Sequence, residues 1–286
     1  MILQETYTLS NGVEIPKLGL GTWMITGDCA TQAVKEAIKL GYRHIDTAQA
    51  YGNEAEVATG IKSSGLPRNE IFLTTKLAAE HKTYNDAKDA INKSLQLMNL
   101  DYIDLMIIHS PQPWNVFGGN NRFEQGNNDA WRSLEDAYKE GKIRAIGLSN
   151  FNQKDIKNIL ASCTIKPMIN QVLAHISNIP LDLIEFSQNQ GLLVEAYSPV
   201  GHGELFKNQK ILEMAEKYGV SLPQLCIRYD LQLGLLPLPK TANVDHMKNN
   251  AELDFIISES DMNILKSMPK IEEYGESSKF PVFRQK

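Results

Sequence analysis

Short apolar runs recur along the chain, separated by stretches in which apolar positions return at helical spacing. The runs are KLGLGTW, HIDTA, IFLTTKL, IDLMIIHS, IRAIGLSN, PMINQV, LLVEAYSP and LLPLPK. Most are too continuous for a sheet with one wet face, and such runs mark strands covered on both sides. Helical patterns fill the intervals. ATQAVKEAIKLG sets Val34, Ala37 and Ile38 on one face and stops at Gly41, a C′ glycine signal. NFNQKDIKNIL begins with Asn152 as N-cap and Asp155 at N3, with Phe151 and Ile156 placed as a hydrophobic staple.

The strand ends fall at Thr22, Asp46, Lys76, His109, Ser149, Gln171, Tyr197 and Lys240, about 31 residues apart on average. That beat matches one βα unit of roughly 30 residues. Eight such units closing on themselves make a (β/α)8 TIM barrel, an α/β fold expected to span 1–286 as a single domain. A doubly wound open sheet would carry fewer strands and a Gly-rich first turn, and no GxGxxG occurs. ETYTLSNGVEIPK alternates around Asn11-Gly12, a two-residue hairpin signal, and is placed as a β-hairpin closing the barrel bottom. HSPQPWNVFGGNNRFEQGNND, after the fourth strand, reads as a long loop on the opposite face, and loops of that length are usually functional.

Composition narrows the function classes. A net charge of −5 leaves no nucleic-acid footprint. No run is long enough to span a membrane, and the first residues lack the pattern of a secretory signal. Cys29, Cys163 and Cys226 form no metal motif, which points to a reduced, cytoplasmic setting. No metal, no membrane partner and a monomer are expected.

Four residues carry the chemistry: Asp46, Tyr51, Lys76 and His109. Each alone has a plain structural explanation, as a cap, a packing aromatic or a core histidine. Lys76 resists one, because a lysine ending a buried run needs a partner. Loops after barrel strands gather at one face, so all four share a pocket. A phenol near pKa 10 is too weak an acid at neutral pH. The Lys76 ammonium is expected to lower the Tyr51 pKa, Asp46 to hold Lys76 charged, and an uncharged His109 to orient a substrate oxygen. The set suits reduction of a carbonyl by hydride from a nicotinamide, with Tyr51 supplying the proton.

With these residues in place, the chain resembles the aldo-keto reductase superfamily over nearly its whole length. GLGTW, HIDTAQAYGNE, TTKL, IIHSP, IRAIGLSNF, NQV, AYSPVGHG and LPKT stand in that family's order, and the microbial diketogluconate reductase or prostaglandin F synthase type is the most similar subgroup. The resemblance implies an NADPH-dependent carbonyl reductase with Asp46, Tyr51, Lys76 and His109 as catalytic residues. It places Ser149, Asn150 and Gln171 at the nicotinamide carboxamide and Tyr197 against the nicotinamide ring. Gly21, Thr22, Trp23, Asp46, Ser198 and Val200 join the cofactor site, with Lys240 and Thr241 at the adenosine 2′-phosphate and Asn250 at the adenine. Trp23, Tyr51, His109 and Trp114 are implied substrate contacts, with Phe117 and His202 nearby.

Two departures stand out. His246 occupies the place of an arginine whose planar fork would grip phosphate bidentately, which histidine cannot do; NADPH use with tolerance of NADH follows. NQVLAHI puts Leu173, Ala174 and Ile176 in a loop that is usually different in the family. Two other readings compete. A Schiff-base aldolase needs a lysine of depressed pKa, which Asp46 opposes. A cofactor-binding redox-sensor subunit on the same fold would bind the nicotinamide without turnover.

Overall fold

The structure, a computed structural model, describes residues 1–284. The chain opens with an antiparallel hairpin, β1 (Thr6–Thr8) and β2 (Glu14–Pro16). Eight strands follow: β3 (Gly19–Gly21), β4 (His44–Asp46), β5 (Phe72–Leu77), β6 (Ile103–Ile108), β7 (Ile143–Ser149), β8 (Ile169–Leu173), β9 (Leu193–Tyr197) and β10 (Leu236–Leu238). They pair in parallel in unbroken sequence order. The Gly21 N–H donates to the Pro239 carbonyl at 3.0 Å and closes the barrel.

Helices wrap the outside. The first six are α1 (Asp28–Lys39), α2 (Glu54–Ser63), α3 (Tyr84–Met98), α4 (Glu124–Lys139), α5 (Gln153–Ser162) and α6 (Leu181–Asn189). Pairs follow the last two strands: α7 (Gln209–Lys217) with α8 (Leu222–Gln232), and α9 (Val244–Ala251) with α10 (Glu259–Lys266). Val34, Ala37 and Ile38 of α1 are buried in the layer between helices and barrel. Burying each large aliphatic side chain there contributes roughly 1.5–3 kcal/mol. At α5 the Asn152 side chain accepts from the Lys154 and Asp155 amides while Asp155 accepts from the Asn152 amide. Phe151 and Ile156 are fully buried beside it. No described helix is long and apolar enough to cross a membrane.

The hairpin covers the end of the barrel where the strands begin. The Tyr7 hydroxyl donates to the Leu235 carbonyl at 3.2 Å and the Asn11 amide to the Arg144 carbonyl at 2.9 Å. Its turn is not the two-residue type expected. Leu9 and Val13 still pair, the Gly12 N–H returns to the Leu9 carbonyl at 2.8 Å, and Gly12 sits at φ +82°. This is a three-residue loop whose glycine takes the left-handed position that ends a type I turn with a bulge. A cavity of about 1300 Å³ lies at this end, lined in part by Arg43, Phe72, Asp104 and Arg144. It is on the opposite side of the barrel from the strand ends that carry the chemistry.

The long loop after β6 is also shorter than its composition suggests, because α4 begins at Glu124 and absorbs Gly126, Asn127 and Asn128. Tertiary contacts override the local signal. Asn127 is buried, donating to the Pro111 carbonyl at 3.0 Å and accepting from Lys82 Nζ at 2.7 Å. A Cβ on Gly126 would meet Lys82 Cβ at 2.8 Å, so only glycine allows that approach.

Candidate active site

Lys76 has no exposed surface and organises the mouth of the barrel. Its ammonium donates to Asp46 Oδ1 at 2.5 Å, to the Thr47 carbonyl at 2.9 Å and to the Tyr51 hydroxyl at 3.2 Å. Three acceptors satisfy three N–H groups, which is what a buried ammonium requires. Burial alone would depress the Lys76 pKa; the Asp46 charge and Tyr51 outweigh it and hold the pKa above its ordinary value. Lys76 is therefore a fixed cation.

Tyr51 ends a 3-10 turn, Gln49–Tyr51, immediately after β4. Gln49 pins that turn by accepting from the Ala78 amide at 2.8 Å and donating to Ser94 Oγ and the Ala90 carbonyl. Asn53, buried just beyond, donates to the Thr22 and Ile25 carbonyls and accepts from Thr47. It thereby locks the loops after β3 and β4 together. The Tyr51 pKa runs against the sequence expectation. Burial pushes the phenol above its ordinary value, and although Lys76 pulls it down as anticipated, Asp46 adds to the rise. Tyr51 is accordingly protonated at neutral pH.

His109 follows β6 by one residue, with its ring edge-on to Tyr51 at 5.7 Å and to Trp114 at 5.1 Å. Burial first, and the Lys76 charge second, hold its pKa well below 6.5. The imidazole is neutral, as the sequence implied, and its Nδ1 has no hydrogen-bond partner among the described residues.

Ser149, Asn150, Gln171 and Tyr197 come together across β7, β8 and β9. Asn150, at φ +62°, donates to the His109 carbonyl at 3.0 Å and accepts from the Tyr197 hydroxyl at 2.7 Å. Gln171 Nε2 donates to Asp46 Oδ2 at 2.9 Å and to Glu195 Oε2 at 2.7 Å. Gly21 lies at the barrel seam, and the Thr22 amide donates to the Asp46 carbonyl at 3.0 Å. Ser198, at φ +55°, contacts His202 Nε2 at 3.0 Å, and Val200 packs against the cluster around Leu205.

Lys240, Thr241, His246 and Asn250 lie at the end of β10 and on α9, with Lys240 bridged to Gly21 at the seam. Lys240 and His246 are exposed and Asn250 is buried. Asn243 caps α9 by accepting from the Asp245 and His246 amides, so His246 lies in the first turn as expected.

On the substrate side, Trp23 and Trp114 flank the mouth. Trp114 stacks obliquely with Phe117 at 5.5 Å, and Gln112 orders their loop by donating to the Gly119 carbonyl at 2.9 Å and accepting from the Gly118 amide at 2.6 Å. The C-terminal segment folds over the rim: Phe280 lies 4.8 Å from Trp23, and Phe283 4.3 Å from His202. Tyr274 anchors it, its hydroxyl meeting His175 Nε2 at 2.9 Å and Asn178 Nδ2 at 3.0 Å. The unusual NQVLAHI loop thus receives the chain's own tail.

Gln49, Asn53, Gln112 and Glu195 were not singled out from the sequence. Only Glu195 carried a legible signal, as a charged residue inside the apolar run LLVEAYSP.

Residues 17–270 match the Aldo/keto reductase family. The chain is 41% identical over 275 residues to the glyoxal reductase of Bacillus subtilis (strain 168), covering 96% of each protein. It is 38% identical over 273 residues to the 9,11-endoperoxide prostaglandin H2 reductase of Trypanosoma cruzi (strain CL Brener), covering 94% of this chain and 93% of that protein. The crystal structure of the Bombyx mori aldo-keto reductase in complex with NADP superposes with a TM-score of 0.84 at 30% identity, covering 98% of this chain and 99% of the other.

Proposed function

The chain belongs to the aldo/keto reductase family, and on that premise we propose that it reduces small aldehydes and α-dicarbonyl compounds with NADPH, Tyr51 giving the proton. Reduction of a carbonyl to an alcohol with a nicotinamide cofactor is the activity of the family. The substrate class rests on the likeness to a glyoxal reductase and on aromatic walls, Trp23 and Trp114, that suit small uncharged carbonyls.

The observation that carries the reading is the Asp46–Lys76–Tyr51 chain beside a neutral His109. Bound NADPH supplies hydride to the carbonyl carbon. As the C=O π pair moves onto oxygen, that oxygen takes the phenolic proton of Tyr51 and the alcohol forms. Tyr51 is left as phenolate, which the Lys76 ammonium stabilises until water returns the proton. A neutral His109 N–H can donate to the same oxygen and orient the carbonyl without competing as an acid.

The site residues suit the nicotinamide carboxamide: Ser149 offers a hydroxyl, and Gln171 an amide oxygen opposite its committed N–H groups. Tyr197 offers an aromatic face. Lys240 and the α9 N-terminus supply attraction for the 2′-phosphate, and His246 in place of arginine leaves room for NADH.

The test is oxidation of NADPH dependent on glyoxal, methylglyoxal and benzaldehyde, in wild type and Tyr51→Phe. Loss of one phenolic oxygen is expected to lower kcat by about 10²–10⁴-fold, the worth of a positioned general acid. Undiminished turnover by Tyr51→Phe would remove Tyr51 as the donor, and wild-type protein that binds cofactor without turnover would support the sensor reading.

A further inference from the structure

A carboxyl group sits in the barrel interior with no role in the chemistry above. Glu195 is the middle residue of β9, has no exposed surface, and is the direct cross-strand partner of Gln171 on β8. Its Oε2 accepts from Gln171 Nε2 at 2.7 Å, and its Oε1 has no partner among the described residues. The other hydrogen of the same amide goes to Asp46 Oδ2 at 2.9 Å.

We infer that Glu195 is a positioning residue for the nicotinamide: with Asp46 it takes both amide hydrogens of Gln171 and so fixes Gln171 Oε1 as the acceptor facing the cofactor's carboxamide. This rests on the proposed function, in which Gln171 meets that carboxamide. These two acceptors favour the observed orientation of the amide, because a flipped amide would set its oxygen against the Asp46 carboxylate and take its N–H groups away from both partners. With Glu195 absent, one amide hydrogen loses its acceptor and only the bond to Asp46 still holds the amide in register for the carboxamide.

The charge state agrees with that task. The charged groups near Glu195 are Asp46 on β4 and Lys76 on β5, and Lys76 is already matched by Asp46. Burial, then the Asp46 charge, push the Glu195 carboxyl up to about 8, with Lys76 pulling the other way. That favours the uncharged acid at neutral pH, with Oε2, the oxygen that accepts from Gln171, serving as its carbonyl oxygen. Glutamine at this position reproduces that pattern, with a carbonyl towards Gln171 and an NH2 in place of the O–H.

The experiment measures affinity for NADP+ and for adenosine 2′,5′-bisphosphate, which lacks the nicotinamide, by calorimetry. Wild type, Glu195→Gln, Glu195→Ala and Gln171→Ala are compared. Glu195→Ala and Gln171→Ala are expected to weaken NADP+ by about tenfold, the scale of one lost hydrogen bond, while the bisphosphate binds unchanged. Glu195→Gln is expected to bind NADP+ like wild type. If Gln171→Ala weakens NADP+ but Glu195→Ala does not, the role of Glu195 is overturned and the placing of Gln171 stands. If Gln171→Ala changes nothing, the placing of Gln171 itself fails. Should Glu195→Ala not fold, Glu195→Gln decides: selective loss of NADP+ affinity there would overturn the inference.

Discussion

Lys76 and His246 show how much a single position can announce. A lysine closing the run IFLTT asked for a partner, because an isolated ammonium cannot be buried, and it has three acceptors. Tyr51 was placed correctly beside it, but the direction of its pKa was not legible. That direction depends on the burial supplied by surrounding loops, which outweighs the Lys76 charge. His246 is exposed in the first turn of α9, where an arginine could reach a phosphate with a two-pronged, charge-assisted contact. Such a bond is worth roughly 1.5–3 kcal/mol. His246→Arg is therefore expected to raise the ratio of kcat/KM for NADPH over NADH by about tenfold or more; an unchanged ratio would remove the role given to position 246.

A helix start set by a local cap, as in α5, came through, whereas the start of α4, set by distant contacts, did not. The α5 cap was written in Asn152 and Asp155, which satisfy each other within four residues. Residues 124–129 read as loop because of their glycine and asparagines, yet Asn127 and Gly126 are there to pack against Lys82 and the start of the β6 loop. What remains of that loop is held by Gln112, whose amide spans Gly118 and Gly119. Gln112→Ala is expected to loosen Trp114 over His109, raising KM for aldehydes several-fold while cofactor affinity holds. Steady-state kinetics with separate cofactor titrations would show this, and an equal loss in both would mean a general collapse of the mouth instead.

The whole molecule carries ionisable groups buried in their neutral forms, and these set its pH response. Burial depresses His44 to about 3 and, against its bond to the Ile176 carbonyl, His175 to about 4, with His109 also well below its ordinary range. Their contribution to stability is complete above the unfolded imidazole value of about 6.5 and is lost as pH falls towards the folded values. Glu195, raised to about 8, and Asp230, raised well above its ordinary value by burial, act in the opposite sense. Their contribution is complete only below the unfolded carboxyl values of about 4 and is lost progressively from there up to the folded values, and below about pH 6.5 the three histidines outweigh these two carboxyls. Thermal unfolding from pH 5 to 9 should therefore show a maximum near pH 6.5–7, at about the unfolded imidazole value, with Tm falling on both sides. A Tm that kept rising down to pH 5 would contradict the assignment of neutral buried histidines. Glu195→Gln should flatten the alkaline side.

The sequence by itself determined the eight-unit beat, the parallel barrel, the bottom hairpin and the set Asp46, Tyr51, Lys76 and His109. These rest on periodicity, capping and the electrostatic cost of burying charge, all of which act over a few residues or through residue type alone. The tertiary structure decided the rest. Closure brought Gln171 within reach of Asp46 across the barrel, and Glu195 became a shared acceptor only because β8 and β9 pair in that register. The tail's Tyr274 found His175 and Asn178 nearly a hundred positions earlier. Partners so distant in sequence leave no local trace, since which atoms meet is set by how the strands and loops pack.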